Sequence, residues 1–225
     1  MTGSGTSPKA GDMAVHVIDD DEAVRHSLAF LFQSVGLPAR TYDSAAAFLA
    51  VAPGLRGGCV LTDLRMPGID GLALQRRLGE LKSRLPVIFI TGHGDVPVAV
   101  QALKAGAFDF IEKPFEDEAL LSTIQGALES DRRTRKRTAE TERTAARLAS
   151  LTPRERQVLE RLVAGQPNKT IAQELGASPR TVEVHRARVM EKMGAQNLCE
   201  LVRMALSVGI TAEAELEPGF AASSK

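Results

Sequence analysis

The stretch Gly58-Cys59-Val60-Leu61-Thr62-Asp63-Leu64-Arg65-Met66-Pro67-Gly68-Ile69-Asp70-Gly71 decides how this chain folds. A short apolar run ends in a single carboxylate, Asp63, and a Pro-Gly loop follows it, the pattern of a buried strand that delivers one side chain to the edge of a sheet. Runs of the same kind recur on either side. Ala14–Ile18 leads into Asp19, Asp20 and Asp21, residues 86–90 lead into Thr91 and Gly92, and residues 107–111 lead into Glu112, Lys113 and Pro114. Ala39–Tyr42 reads as a fifth, shorter strand. Between these runs lie helix-length segments with apolar residues three and four apart, such as Val24, Leu28, Leu31 and Phe32. Repeated strand and helix predicts a parallel sheet covered by helices on both faces.

In such sheets ligands bind beyond the carboxyl ends of the strands, so Asp19, Asp20, Asp63, Thr91 and Lys113 are expected along one edge. Crowded carboxylates repel one another and need protons or a cation. An oxygen-rich acidic site suits Mg²⁺, which uses few protein carboxylates and keeps several waters. The expected arrangement is Mg²⁺ at Asp20 and Asp63, with Asp19 acting through water. A carboxylate attacking phosphorus also needs the phosphoryl charge neutralised, which a metal and the Lys113 ammonium can do together while Thr91 donates a hydroxyl.

With those residues in place, positions 14 to 129 resemble the receiver domain of response regulators, the acceptor module of two-component signalling. The resemblance implies that Asp63 is phosphorylated, that Asp19 and Asp20 are the family's acidic pair, that the Arg65 carbonyl is a metal ligand, and that Thr91 and Lys113 are the switch hydroxyl and the lysine. Phe110 occupies the place of the switch aromatic, although Phe108 and Phe110 alternating with Asp109 also fit a core strand. A haloacid-dehalogenase-type phosphatase would want a second Asp where Arg65 stands. A dinucleotide fold would want a glycine-rich turn where the acidic triplet stands.

The 225 residues leave room for a second unit. Zero net charge hides an uneven distribution: residues 1–129 carry 11 basic and 16 acidic side chains, whereas 130–210 carry 16 basic and 9 acidic. An acidic front and a basic back point the back half toward a polyanion. Cys59 and Cys199 make neither a metal ligand set nor a disulfide framework. No apolar stretch reaches membrane-spanning length, and residues 1–11 lack the apolar core of a signal peptide, so the expected location is cytoplasmic with no membrane partner.

Residues 131–148 are basic and almost without apolar side chains, which predicts a solvated helical linker. Beyond them Thr152 reads as an N-cap, with Pro153 at the first helical position and Glu155 completing a capping box. Further helices are expected from Asn168 to Gly176, from Ser178 to Gly194 and over 198–208. The tight joint at Gly176 and the packing residues Ile171, Ala172, Leu175, Val182, Val189 and Met193 describe a helix-turn-helix. Asn168, Lys169 and Thr170 at one helix start, and Arg180, Thr181, Glu183, His185, Arg186 and Arg188 on the next helix, are the candidate DNA contacts. Glu183 can accept from cytosine N4 or pair with Arg180 or Arg186 within its helix. His185 can pack or donate to phosphate. Leu151-Thr-Pro-Arg-Glu155, Asn168-Lys-Thr-Ile-Ala172 and Thr181-Val-Glu-Val-His185 resemble the LuxR-type DNA-binding domain; members of that family often carry Lys where Glu183 stands.

Receiver plus LuxR-type effector is similar to the NarL/FixJ class of response regulators, and residues 91–100, 112–117 and 182–193 are especially FixJ-like. The resemblance implies a sensor histidine kinase as phosphodonor, a homodimer on phosphorylation through about residues 96–110, promoter DNA and RNA polymerase as partners, and activation of nitrogen-fixation or micro-oxic genes. The chain is then a phosphoacceptor that takes part in its own phosphotransfer and dephosphorylation, and not an enzyme. An output in which the C-terminal helices bind protein or RNA is the alternative. The expected organisation is a flavodoxin-like α/β receiver with a five-stranded parallel sheet at 13–129, the basic linker at 130–148, an all-α four-helix DNA-binding domain at 149–210, and disordered tails at 1–12 and 211–225.

Overall fold

The computed structural model describes residues 13–92 and 96–211, without the side chains of 96, 97 and 99. The tails expected at 1–12 and 211–225 lie outside the described residues, save Thr211. The chain forms two compact units, Met1–Arg135 and Lys136–Lys225.

In the first unit five parallel strands, β1 Ala14–Ile18, β2 Ala39–Tyr42, β3 Gly58–Asp63, β4 Val87–Thr91 and β5 Asp109–Glu112, lie in the order 2-1-3-4-5. Their register pairs Ile18 with Thr62, Asp63 with Ile90 and Thr91 with Glu112, so the polar ends of β1, β3, β4 and β5 finish at one level. Helices α1 Glu22–Ser34, α2 Ala45–Val51, α3 Gly71–Glu80 and α4 Val96–Lys104 join the strands, and α5 Asp117–Ala149 follows β5. Three helices start on side-chain caps, with Asp21 accepting from the Ala23 amide, Ser44 from Ala47 and Asp70 from Ala73.

Because successive strand residues face opposite ways, the sheet builds two cores. Ile18, Val60 and Phe89 pack with Phe48, Leu74 and Ala102 on one face; Val17, Leu61 and Ile90 pack with Leu28, Phe32, Leu120 and Ile124 on the other. His16 is buried on β1 beside the Tyr42 and Phe48 rings, its Nδ1 3.1 Å from the Tyr42 hydroxyl. Burial, with the nearby Arg40 charge, brings its pKa down to about 4. At the foot of the sheet, opposite the polar strand ends, Gly58 has φ +126° and a Cβ there would meet the Ala14 carbonyl oxygen at 2.1 Å. Only glycine fits.

The helical run at 131–148 is largely exposed, with two polar residues buried along it. Asp131 is buried and accepts from the Gly58 amide at 3.1 Å, and Thr144 is buried further along. Asp131 therefore seats the start of this run where apolar residues are lacking, because a buried carboxylate that receives a backbone N–H satisfies an otherwise orphaned donor.

The second unit is helical, with α6 Pro153–Val163, α7 Asn168–Glu174, α8 Pro179–Met193 and α9 Leu198–Ser207 after the end of α5. Thr152 and Glu155 form the capping box of α6. Gly194, at φ +65°, ends α8 in the left-handed conformation that glycine adopts without penalty. Val158, Leu159, Ile171, Val182, Val189, Met193 and Leu201 form the core. Glu155 is buried beneath that cap and takes the Lys192 ammonium of α8 at 2.6 Å. The Lys192 hydrogen bond and the Thr152 amide hold its carboxyl down to about 2.

Candidate phosphorylation site and nucleic-acid interface

Four strand ends meet at one edge of the first unit. Asp63, at the last position of the central strand β3, is half-buried; its Oδ1 receives the Lys113 ammonium at 2.9 Å and its Oδ2 accepts from the Arg65 amide at 2.7 Å. The same ammonium lies 3.4 Å from Asp19 Oδ2. Asp19 is buried, and burial raises its pKa against the opposing hydrogen bond from the Asp21 amide and the Lys113 charge. Burial also works against the charge on Lys113, but the hydrogen bonds and attraction of Asp63 and Asp19 prevail and hold its pKa above the ordinary lysine value. One cation thus bridges a carboxylate just beyond β1 and one at the end of β3. The Lys113–Pro114 peptide is cis.

Thr91 is buried at the end of β4, its hydroxyl donating to the Gly92 carbonyl at 3.2 Å. Phe110 on β5 is half-buried and packs on the core face shared by Phe48 and Phe89. Asp20 is exposed, and together with Leu64, Arg65, Met66 and Asp70 it borders a hollow of about 550 Å³. The three acids are not drawn into one tight set: among the described residues no group of three acidic, histidine or cysteine side chains stands at metal-binding spacing. Asp19 faces Lys113, while Asp20 opens toward the hollow. Sequence reading overlooked two supporting residues. The Arg25 guanidinium donates to the Asp19 and Asp20 carbonyls at 2.8 and 3.0 Å, fixing the acidic turn, and Gly71 comes so near that a Cβ would lie 2.7 Å from the Asp63 carbonyl oxygen. An arginine six residues beyond a strand-end acid, one turn into α1, was the available signal.

In the second unit α8 buries Val182, Val189 and Met193 and leaves Arg180, Thr181, Glu183 and Arg188 exposed. Val184 is exposed on the same helix at 46%, an apolar side chain off the packing stripe that the candidate set omitted. Ser178 caps α8, and its hydroxyl also meets Thr181 at 2.8 Å. Lys169 is exposed, and Asn168 and Thr170 are half-buried. Arg186 turns back to Asn168 Oδ1 at 3.4 Å, so these two candidates sit together rather than projecting separately. His185 is half-buried with Nδ1 enclosed and without a hydrogen-bond partner.

Residues 15–125 match the response regulator receiver domain, and residues 149–205 match the bacterial regulatory proteins of the luxR family. The transcriptional regulatory protein FixJ of Bradyrhizobium diazoefficiens is 52% identical over 87% of this chain and 96% of its own length. That of Rhizobium meliloti is 54% identical over 88% of this chain and 97% of its own. The chain belongs to the NarL/FixJ class of response regulators. Among solved structures, the response regulator StyR superposes with a TM-score of 0.78 at 40% identity, covering 87% of this chain and 99% of that one. Full-length FixJ from B. japonicum gives 0.56 at 51% identity over 89% and 98%. This response regulator is accordingly a phosphorylation-dependent transcriptional regulator built from a receiver and a LuxR-type DNA-binding domain, rather than a catalytic enzyme in the usual sense. No helix among its described residues is long and apolar enough to cross a membrane.

Proposed function

We propose that Asp63 accepts a phosphoryl group from the phosphohistidine of a sensor histidine kinase, the P–N bond breaking as a P–O bond to the carboxylate forms. The observation that carries this reading is the Lys113 ammonium held between Asp63 and Asp19 at a strand-end edge. It neutralises the carboxylate that must approach an anionic phosphoryl group, and it stays in place to pair with that group afterwards. The donors suit Mg²⁺, which needs only one or two carboxylates and keeps its waters: Asp20 and Asp63 with the Arg65 carbonyl would hold it beside the open hollow, and Asp19 would act through water. When bound, the metal supplies charge neutralisation on the phosphoryl oxygens.

Thr91 then donates its hydroxyl to the new phosphoryl oxygen, and Phe110, half-buried on the next strand, turns inward. Val100 and Leu103 on α4, with Phe108 just before β5, leave exposed apolar surface, through which the phosphorylated chain forms a homodimer. Two effector units then engage adjacent half-sites of promoter DNA, which multiplies the affinity of each. On α8 the exposed Arg180, Thr181, Glu183, Val184 and Arg188 face DNA, with Val184 suited to a thymine methyl, while Lys169 and Thr170 at the start of α7 serve phosphates. Arg186 and Asn168 act as a pair, and His185 supports the helix from its buried side. Further parts of the reading are a cytoplasmic location, transcription activated with RNA polymerase, a receiver at 13–129 and a DNA-binding domain at 149–210, each supported by the similarity to FixJ.

Light scattering with Mg²⁺ and acetyl phosphate tests the switch. The parent chain is expected to pass from monomer to dimer and Asp63→Asn to stay monomeric; a dimerising Asp63→Asn would move the acceptor elsewhere. Footprinting on duplex DNA separates this output from one directed at RNA or protein.

A further inference from the structure

The foot of the receiver sheet, opposite the acidic edge, holds a cavity of about 270 Å³ bordered by Arg56, Lys82, Arg84, Arg135 and one carboxylate, Asp131. The carboxylate is already committed. It accepts the Gly58 amide at 3.1 Å from within the protein and lies 3.9 Å from Arg135. Arg56 and Lys82 have no carboxylate partner among the described residues, so positive charge is left in excess around a hollow. Concave surfaces of one sign concentrate their field on whatever enters them.

Two details show that the chain accommodates these groups at some cost. Lys82 stands at φ +54°, a left-handed position that closes α3 and that glycine or asparagine fills more readily. Gly57 leaves open the space that Arg135 and Asp131 occupy: a Cβ there would meet the Arg135 guanidinium at 2.0 Å and lie 3.0 Å from Asp131 Oδ2. The backbone is thus shaped to bring a cation from each of two loops and one from α5 to the same hollow. With a water molecule's share of the liquid being about 30 Å³, the cavity has room for more than one phosphoryl group. Arginine forks and a lysine ammonium are the donors that phosphoryl oxygens take.

We propose that this cavity binds a small molecule carrying two or more phosphoryl groups, and that its occupancy ties α5 to the foot of the receiver sheet through Arg135. The cations surround a hollow instead of lining a helix face, which matches a compact anion better than the extended backbone of a nucleic acid. The ligand engages the helix that leaves the receiver, at the end of the sheet farthest in the topology from Asp63, and needs no phosphorylation to bind.

Titrating pyrophosphate into the full chain in a calorimeter, with a chelator present so that magnesium does not compete for the probe, tests this. One-to-one binding is expected. The Arg56→Ala/Lys82→Ala double variant, altered only at exposed side chains, should weaken binding by at least about tenfold. Lys113→Ala, at the opposite edge, should bind like the parent. Pyrophosphate should also slow amide exchange around Asp131 and Arg135 in the parent and not in the double variant. Absence of heat at millimolar pyrophosphate, binding that survives in the double variant, or binding lost instead in Lys113→Ala would each overturn the proposal. A double variant that loses affinity for DNA, from a parent that ignores pyrophosphate, would assign the cations to nucleic acid and overturn it as well.

Discussion

The receiver and the helical unit assemble their functional groups over very different spans of chain. At the acidic edge Lys113 reaches an aspartate 94 positions earlier in the sequence and another 50 earlier, and the bridge exists only because parallel strands end at one level. On α8 the exposed residues from Arg180 to Arg188 lie within a few turns of a single helix. The first site depends on the whole sheet; the second depends on a helix that a three-helix packing holds in place. Each unit should therefore be fragile in a different place: the receiver at backbone positions that set strand register, the helical unit at the caps and the bridge between helices.

The largest effect should come from Gly58→Ala. A side chain there combines a positive φ with a 2.1 Å approach to the Ala14 carbonyl oxygen, and the paired strand must shift. A loss of roughly 3 to 5 kcal/mol is expected in the receiver transition of chemical unfolding, with the helical transition unmoved. A variant that unfolds like the parent would show the two strands to be more yielding than their register implies.

Glu155→Ala should strike the other unit by roughly 2 to 3 kcal/mol, since it removes half of a capping box and leaves Lys192 without its carboxylate. Its pH dependence sharpens the contrast. Glu155 has a folded pKa of about 2, below the unfolded value near 4.5, so its contribution is whole above that value and disappears as pH falls toward 2. His16 has a folded pKa of about 4 against 6.5 unfolded; the folded state resists the proton, and the receiver loses stability as pH falls from 6.5 to 4. On acidification the receiver is expected to soften first. Calorimetry on the full chain between pH 7 and 2.5 would resolve the order, and a helical unit that weakens first would reverse this account.

Lys113→Ala should slow phosphorylation by acetyl phosphate roughly ten- to a hundredfold, less than for a fully enclosed donor because the side chain is 31% exposed. Intact-mass kinetics measure it, and an unchanged rate would show that the bridge serves only folding. The smallest effect belongs to Arg188→Ala, about 1 to 3 kcal/mol in specific DNA affinity if it reads a base. An equal loss on all sequences, with a shallower salt dependence, would make it a phosphate contact instead.

Much of this was legible in sequence, for local reasons. The strand-end acids, the capping box at Thr152 and the glycine after α8 each rest on neighbours a few residues away. Less legible was the basic run at 131–148. It has the composition of a solvated linker, yet Asp131 is buried against Gly58, a partner 73 positions away that no periodicity reveals. Val184 escaped notice because an apolar residue in a helix is ordinarily assigned to the core, and only the packed positions of Val182 and Val189 show that it faces outward. The acids alone left open which of them a cation partner would take, and the packed structure turns Asp19 to Lys113 and Asp20 to the open hollow.

Strands alternating with helices, one acid at the centre of a sheet edge, and a basic helical unit with its start and stop signals are written in the order of the residues. Periodicity and caps are local physics, and the chain carries them in order. Which distant residues meet follows only from packing, which joins Lys113 to two aspartates and closes the foot of the sheet with Asp131. A hydrogen bond of about 3 Å is fixed by strand order and register, which are properties of the packed whole and not of any segment.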